Sequence, residues 1–429
     1  MKRSLIVVSV CLIAILCWVF RPKAEQSIAP TPSSHSNDSK KPIIIAHVPP
    51  VSGRFSADSE ADRRGVQMAI DKFNAKGGCL GREIVLILRD PTEYPDKAAK
   101  VARELIVENK ISFMVGAIHS GVAAAMSKVC QEYGVIFINT NSSSPAESGI
   151  NAHRSKFVFD ANGANFARAL IDYALVNRKS KRVLLLTEDY DWGHSNAAAA
   201  RPLIKKAGGT VVGEVIIAEK FKDTKVVLAK IAAIPADVVV LSVSGSNQTK
   251  LFSQVTPEVL RDQLWLLNQA DWPALYNAPG TMRPLFGTTW AWNLDTPGTA
   301  EFVAEYRQRY GKTTLDYPGN VVHMAYLATM ALLTSIERAG TTDNHAIIKE
   351  LENYKWTAKE RMQHTDAYID PVSHHVQQCV YIAQWDPTAK RPQDGIKIIG
   401  RASPETVSNE KELKETRLES LEDTKHYAP

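Results

Sequence analysis

At 429 residues the chain exceeds what one hydrophobic core organises, so two lobes with tails are the default expectation. An apolar fraction of 45% and a charged fraction of 23% describe an ordinary soluble globular body. The net charge of +5 is small against 51 basic and 46 acidic side chains, and no basic block is interleaved with aromatics, which argues against nucleic acid as a partner.

The chain opens on Lys2-Arg3-Ser4 and an apolar run from Leu5 to Phe20 broken by Ser9, the signature of an export signal over residues 1–24. That run approaches the roughly 17–25 residues that span a bilayer, so cleavage and retention as an anchor are both open. Cys17, after Ala14-Ile15-Leu16, half resembles a lipobox. Residues 25–42 are Ser/Pro-rich and polar, a linker that suits a body held near a membrane. Beyond the signal stand Cys79, Cys130 and Cys379, an odd number that argues against a full disulfide framework. Cys130 and Cys379 read as buried apolar side chains, and a bridge to Cys79 stays open.

From residue 43 strands and helices alternate. IIIAHVPP is a strand, VQMAIDKFNAKGG a helix with a glycine stop, REIVLILRD a strand and DKAAKVARELIVEN a helix. ISFMVGAIHS, GVAAAMSKVCQEYG and VIFINTNSSS then give strand, helix and strand. The pattern restarts with the strand RVLLLTEDY, the helix HSNAAAARPLIKKAGG, the strand TVVGEVII, the helix DTKVVLAKIAAIP and the strand ADVVVLSVSG. A helix NQTKLFSQVT and a strand QLWLLNQ complete it. Long helical segments, NVVHMAYLATMALLTSIERAG and HAIIKELENY, and a late strand QQCVYIAQW follow. Alternation without hairpin turns predicts an α/β chain of two doubly wound, Rossmann-like lobes with parallel sheets. The expected division is 43–161 and 291–375 in lobe 1, 162–290 and 376–400 in lobe 2, and a charged peripheral tail over 401–429.

In open α/β sheets ligands sit beyond the carboxyl ends of the strands, where helix N-termini and free loop amides collect. SGRFSADS, GAIHSG and NTNSSS in the first half and TEDYDWGHS in the second occupy that place, so an interlobe pocket is expected between them. Catalytic readings find little support. No GxSxG elbow, HExxH helix or P-loop is present, and Glu188, Asp189 and Asp191 come from one loop, which cannot flank a sugar as a glycosidase pair does. His374 and His375 are neighbours on an extended segment and point apart, and His119 lacks companions in sequence, so neither a metal nor another cofactor is expected. The Asn141-Ser142-Ser143 glycosylation match is incidental to the pocket.

The stretches SGRFSADSEADRRGVQMAIDKFNAKGGCLGREIVLILRDPTEYPDKAA, VGAIHSGVAAAMSKVCQEYGVIFINTNSSSP, LLLTEDYDWGHS and DYPGNVVHMAYLATMALLTSIERAG resemble type I periplasmic solute-binding proteins, in particular the branched-chain amino acid and amide group that serves ABC transporters. The resemblance spans nearly everything from 43 to 400. It implies a bilobal, non-enzymatic receptor that hinges shut on a small polar molecule, an amino acid, an amide or a small organic acid, and delivers it to a membrane permease. A sensor of the same fold that signals without transport is the alternative. The family's carboxylate-binding serine falls on Ser120, with Gly121, at a helix start; the same serine also fits a helix cap. Further contacts fall on Asn141 and Ser143, with Asn139 and Thr140 as structural neighbours, and the closing aromatic falls on Trp192 beside Tyr190. The acid that pairs with an α-ammonium group falls near Gln269, which is neutral; Asp271, Asp189 or Asp191 are its possible substitutes. Trp290 and Trp292 would add an aromatic wall or pack the hinge.

Overall fold

Two sheets organise the chain, each built from the alternation just described. The computed structural model describes residues 41–429 apart from 177, 180, 257–258, 260–262, 276–282, 387 and 409–417; the expected signal and nearly all of the linker lie outside the described residues. The first sheet has five parallel strands in the order β2-β1-β3-β4-β5: β1 Ile43–His47, β2 Ile84–Leu88, β3 Phe113–Gly116, β4 Ile136–Asn139 and β5 Lys156–Val158. Its inner strands are buried on both faces, which is why β1, β3 and β4 read as continuous apolar runs rather than alternating ones. Helices α1 Ser56–Asn74, α2 Pro95–Val107 and α3 Ser120–Tyr133 connect these strands.

The second sheet has seven strands in the order β15-β14-β10-β9-β8-β6-β7. β6 Arg182–Glu188, β7 Thr210–Ile217, β8 Val238–Ser242, β9 Leu264–Leu267 and β10 Leu285–Thr288 are parallel; β14 Val380–Trp385 and β15 Ile396–Ala402 close it with antiparallel pairing. Around it stand α4 Gly163–Leu175, opened by an Asn162/Asn165 capping box, α5 Asp191–Lys206, α6 Thr224–Ala233 and the short α7 Ser246–Phe252. After β10 the chain runs through α8 Thr299–Tyr310 to α9 Asn320–Ala339 and α10 Asn344–Glu352, which return to the first lobe. A small sheet, β11 Lys355–Trp356, β12 Ala367–Ile369 and β13 Val376–Gln377, precedes the last passage to β14. α1 and α9 cross closely because Gly65 has no side chain: a Cβ there would stand 2.3 Å from the Val322 carbonyl oxygen.

The three crossings between the lobes are bound by buried polar groups. Asp160 accepts from the Ala161 amide and Thr289 Oγ1 and receives Gln269 Nε2, while His375 Nε2 contacts its carbonyl at 2.7 Å. Gln378 donates to the Phe159 carbonyl at 2.7 Å.

Some expectations need correction. β15 runs through Arg401 past the expected boundary, and the end of the chain packs on the first lobe, where Asn344 exchanges backbone and side-chain hydrogen bonds with Tyr427 and Lys425. β10 was not foreseen, because Leu285–Thr288 is four residues long and carries too little pattern. Cys79, Cys130 and Cys379 are buried free thiols, and burial pushes Cys79 up to about 12, so none forms a bridge in this structure.

Candidate functional site

Because both sheets are parallel up to their edges, the carboxyl ends of β1, β3 and β4 face those of β6, β8 and β9. A cavity of about 80 Å³ lies between them. The first lobe contributes Phe55, Asp58, Ile118, Asn141 and Ser143; the second contributes Tyr190, Trp192, Ser244, Gln248, Gln269 and Asp271; Asn320 and Val321 at the start of α9 close the floor.

Ser143 binds the halves together. Its hydroxyl donates to Gln269 Oε1 at 2.6 Å and accepts from Trp192 Nε1 at 2.9 Å. Asn141 donates through Nδ2 to Asp62, which is paired at 2.6 Å with His47 at the end of β1. Its Oδ1 is left without a partner although the residue is 6% exposed. Asn139 holds the turn by bonding both the amide and the carbonyl of Ser142.

Of the residues expected from sequence, Asn141, Ser143, Tyr190, Trp192, Gln269 and Asp271 are brought together. Ser120 and Gly121 are not: neither lines the cavity, and Ser120, 1% exposed, takes a hydrogen bond from Ser142 Oγ at 3.1 Å. The cap of α3 is His119, whose Nδ1 accepts from the Val122 amide. Asp189 pairs with His194 on the surface, Asp191 lies in the first turn of α5, Trp290 stacks on His323 in the core and Trp292 rests on Tyr317. None of these four is in the wall. Trp192 is a helix residue rather than a loop residue, and the glycine after it is required: a Cβ on Gly193 would stand 2.0 Å from the Glu188 carbonyl oxygen.

Phe55, Asp58, Ser244, Gln248, Asn320 and Val321 were not anticipated. The signal was present for two of them, since SGRFSADS ends a first-lobe strand at the right edge. Burial is the main cause pushing the Asp58 carboxyl up to about 7, reinforced by the nearby charge of Asp271. Asp271, half-buried like Asp58, is pushed by desolvation to about 6 against the pull of the Trp272 and Val321 amides.

An ionic cluster closes one side of the cleft. Arg54 of the first lobe reaches Glu188 at 3.1 Å, Glu219 at 3.2 Å and Ser244 Oγ at 2.8 Å, all in the second. Its guanidinium stacks over Phe55 and Tyr190. His119 Nε2 lies 3.5 Å from Glu219, and Lys220 crosses the other way to Glu93 at 3.1 Å. Burial works against ionised Glu219, yet His119 and Arg54 hold it below the ordinary carboxylate range.

Residues 42–392 match the family described as periplasmic binding protein. The chain belongs to the periplasmic binding protein family. The binding protein is 26% identical over 314 residues to Leu/Ile/Val-binding protein homolog 3 of Brucella melitensis, covering 71% of this chain and 82% of that one. It is 30% identical over 215 residues to the Leu/Ile/Val-binding protein BraC3 of Rhizobium johnstonii, covering 50% and 56% respectively. Among solved structures, a periplasmic binding protein from Burkholderia mallei superposes with a TM-score of 0.79 at 19% identity, over 88% of this chain and 99% of that one. A benzoate complex of a solute-binding protein from Rhodopseudomonas palustris reaches 0.74 at 20% identity, covering 85% and 97%. The likeness to these solved structures shows that the chain shares their fold.

Proposed function

We propose that the chain is a non-enzymatic extracytoplasmic receptor that closes its lobes over one small polar solute and presents the closed form to an ABC transporter permease. The observation that carries this reading is the meeting of side chains from both lobes, Asn141 and Ser143 with Trp192 and Asp271, around one cavity at the strand ends. A solute touching both walls stabilises the closed form through contacts that the open form lacks. The Brucella and Rhizobium relatives carry names for Leu/Ile/Val binding, and a Pseudomonas fluorescens structure of the same fold is an amino acid ABC transporter substrate-binding protein. Among the described residues no histidine, cysteine or lysine lines the cavity, and the Ser143 hydroxyl is held by Gln269 and Trp192 rather than by a base, which favours binding over turnover. The amino-terminal apolar segment and linker then serve export and tethering near the membrane.

Mass spectrometry of small molecules released on denaturing the purified full chain, followed by X-ray scattering with each candidate, tests the proposal. A solute that contracts the particle is expected; indifference to every candidate overturns it. Trp192→Ala is expected to weaken binding about tenfold and to abolish most of the ligand-induced change in tryptophan emission, because the ring bridges to Ser143 across the cleft. An unaltered emission change in calorimetrically matched samples removes Trp192 from the site.

A further inference from the structure

Resting on the receptor reading above, we propose that the solute is a small organic cation, an amine or amidine without a carboxylate, held between Asp58 of one lobe and Asp271 of the other. Among the described residues two carboxylates line the cavity and no Lys, Arg or His does. Among the described residues no side chain bonds Asp58, and Asp271 is held by backbone amides, Trp272 at 2.7 Å and Val321 at 3.3 Å. Arg54, whose charge also acts on Asp58, is bonded to Glu188, Glu219 and Ser244.

The hydrogen-bond inventory points the same way. Side-chain donors at the wall are turned toward protein acceptors: Asn141 Nδ2 to Asp62, Gln269 Nε2 to Asp160, Gln248 Nε2 to the Val243 and Gln269 carbonyls, and Trp192 Nε1 to Ser143. What remains unmet is the Asn141 Oδ1, and the Asp58 carboxylate takes no side-chain donor, while that of Asp271 is met by backbone amides alone. A donor-rich guest fits that demand, and a guest with its own carboxylate does not. The anion-binding end of α3 is also closed off, since His119 caps it and Ser120 lies behind Ser142. Phe55, Tyr190 and Trp192 supply aromatic walls that attract a positive charge.

Titration gives the expected pH dependence. Asp58 faces Asp271, Arg54 and Asp62, and burial holds it up to about 7; Asp271 faces the amides of Trp272, Asn320 and Val321 and is held up to about 6. Below those values the empty protein keeps protons that a cation must displace, so cation affinity falls as pH drops from 8 to 5.

Calorimetry on the full chain with four cations (acetamidinium, ethylammonium, tetramethylammonium and 1,4-diaminobutane), set against acetamide, acetate and leucine, decides the matter. At least one cation is expected to bind tenfold or more tighter than any neutral, anionic or zwitterionic probe at pH 8, and to lose tenfold at pH 5. Asp58→Asn and Asp271→Asn are each expected to lose at least tenfold for that cation. The empty variants are expected to melt no lower than the parent at pH 8, because a carboxyl whose value is raised in the fold disfavours folding once ionised. Tighter binding of acetamide, acetate or leucine, failure of all four cations, or undiminished affinity in both variants overturns the assignment. If leucine or acetamide binds and contracts the particle in scattering, the cation is lost and the receptor reading stands; if no solute of any kind contracts it, the receptor reading falls as well.

Discussion

Arg54→Ala is expected to leave the protein folded but open, with solute affinity lowered about a hundredfold. The guanidinium spans the cleft from the first-lobe loop after β1 to Glu188 and Glu219, and its Nη1 also meets Ser244 Oγ. Removing one partner of a buried ion pair costs about 3–5 kcal/mol when the other stays buried. Here the stranded group has an escape. Glu188 keeps the Ser244 amide and hydroxyl and Asn247 Nδ2, all within its own lobe, and separation of the lobes brings water to the Oε2 that Arg54 had bonded. The penalty therefore falls on closure and not on folding, and about 3 kcal/mol on closure corresponds to about a hundredfold in apparent affinity. Scattering is expected to show an expanded particle, while the melting temperature without solute changes little. Arg54→Lys is expected to rescue only part, since a single ammonium cannot reproduce the fork that reaches both glutamates. Unchanged scattering together with unchanged affinity would sink the latch.

The alternation of apolar runs and helical spacing made the doubly wound lobes legible, because inner parallel strands are buried on both faces and leave continuous runs such as Val183–Leu186 and Val238–Leu241. Boundaries were less legible where helices lack a side-chain cap. α1 starts at Ser56 and α5 at Asp191 without any capping side-chain hydrogen bond, so SADSEADRRG and DWG read as loop although both belong to helices. That misplacement hid Asp58, which enters the cavity only because it sits on the opening turn of α1.

Site legibility followed the same physics. Asn141, Ser143 and Trp192 stand at strand ends whose motifs carry the family's pattern. Ser120 carries it too, yet the His119 ring occupies the helix end, a contact between residues that sequence spacing alone does not reveal. Ser244 and Gln248 follow β8 in a segment with no distinctive motif, and Asn320 arrives from far along the chain at the head of α9. Such groups are assembled by the crossing of the chain, which only three dimensions display.

Lys156→Met is expected to cost about 3–5 kcal/mol of stability, read by chemical denaturation, without removing any residue from the cavity. Lys156 on β5 is 1% exposed and pairs with fully buried Glu147, in the short turn Pro145–Ser148 that follows the Asn141–Ser143 stretch. The pair thus pins the binding loop to the sheet. Unlike Glu188, Glu147 is paired with a residue of its own lobe, so the cost stays in the fold. Burial pushes its carboxyl up, opposed by Lys156, and loss of the lysine removes that opposition. The lone carboxyl then takes a proton more readily, so the deficit of the single variant is largest at pH 8 and shrinks toward pH 5. Lys156→Met with Glu147→Leu is expected to recover most of the stability, because an apolar pair of similar volume replaces two desolvated charges. Solute affinity in the double variant should then lie within a few-fold of the parent. A single variant that loses less than about 1 kcal/mol, or a double variant no more stable than the single, contradicts the role given to this pair.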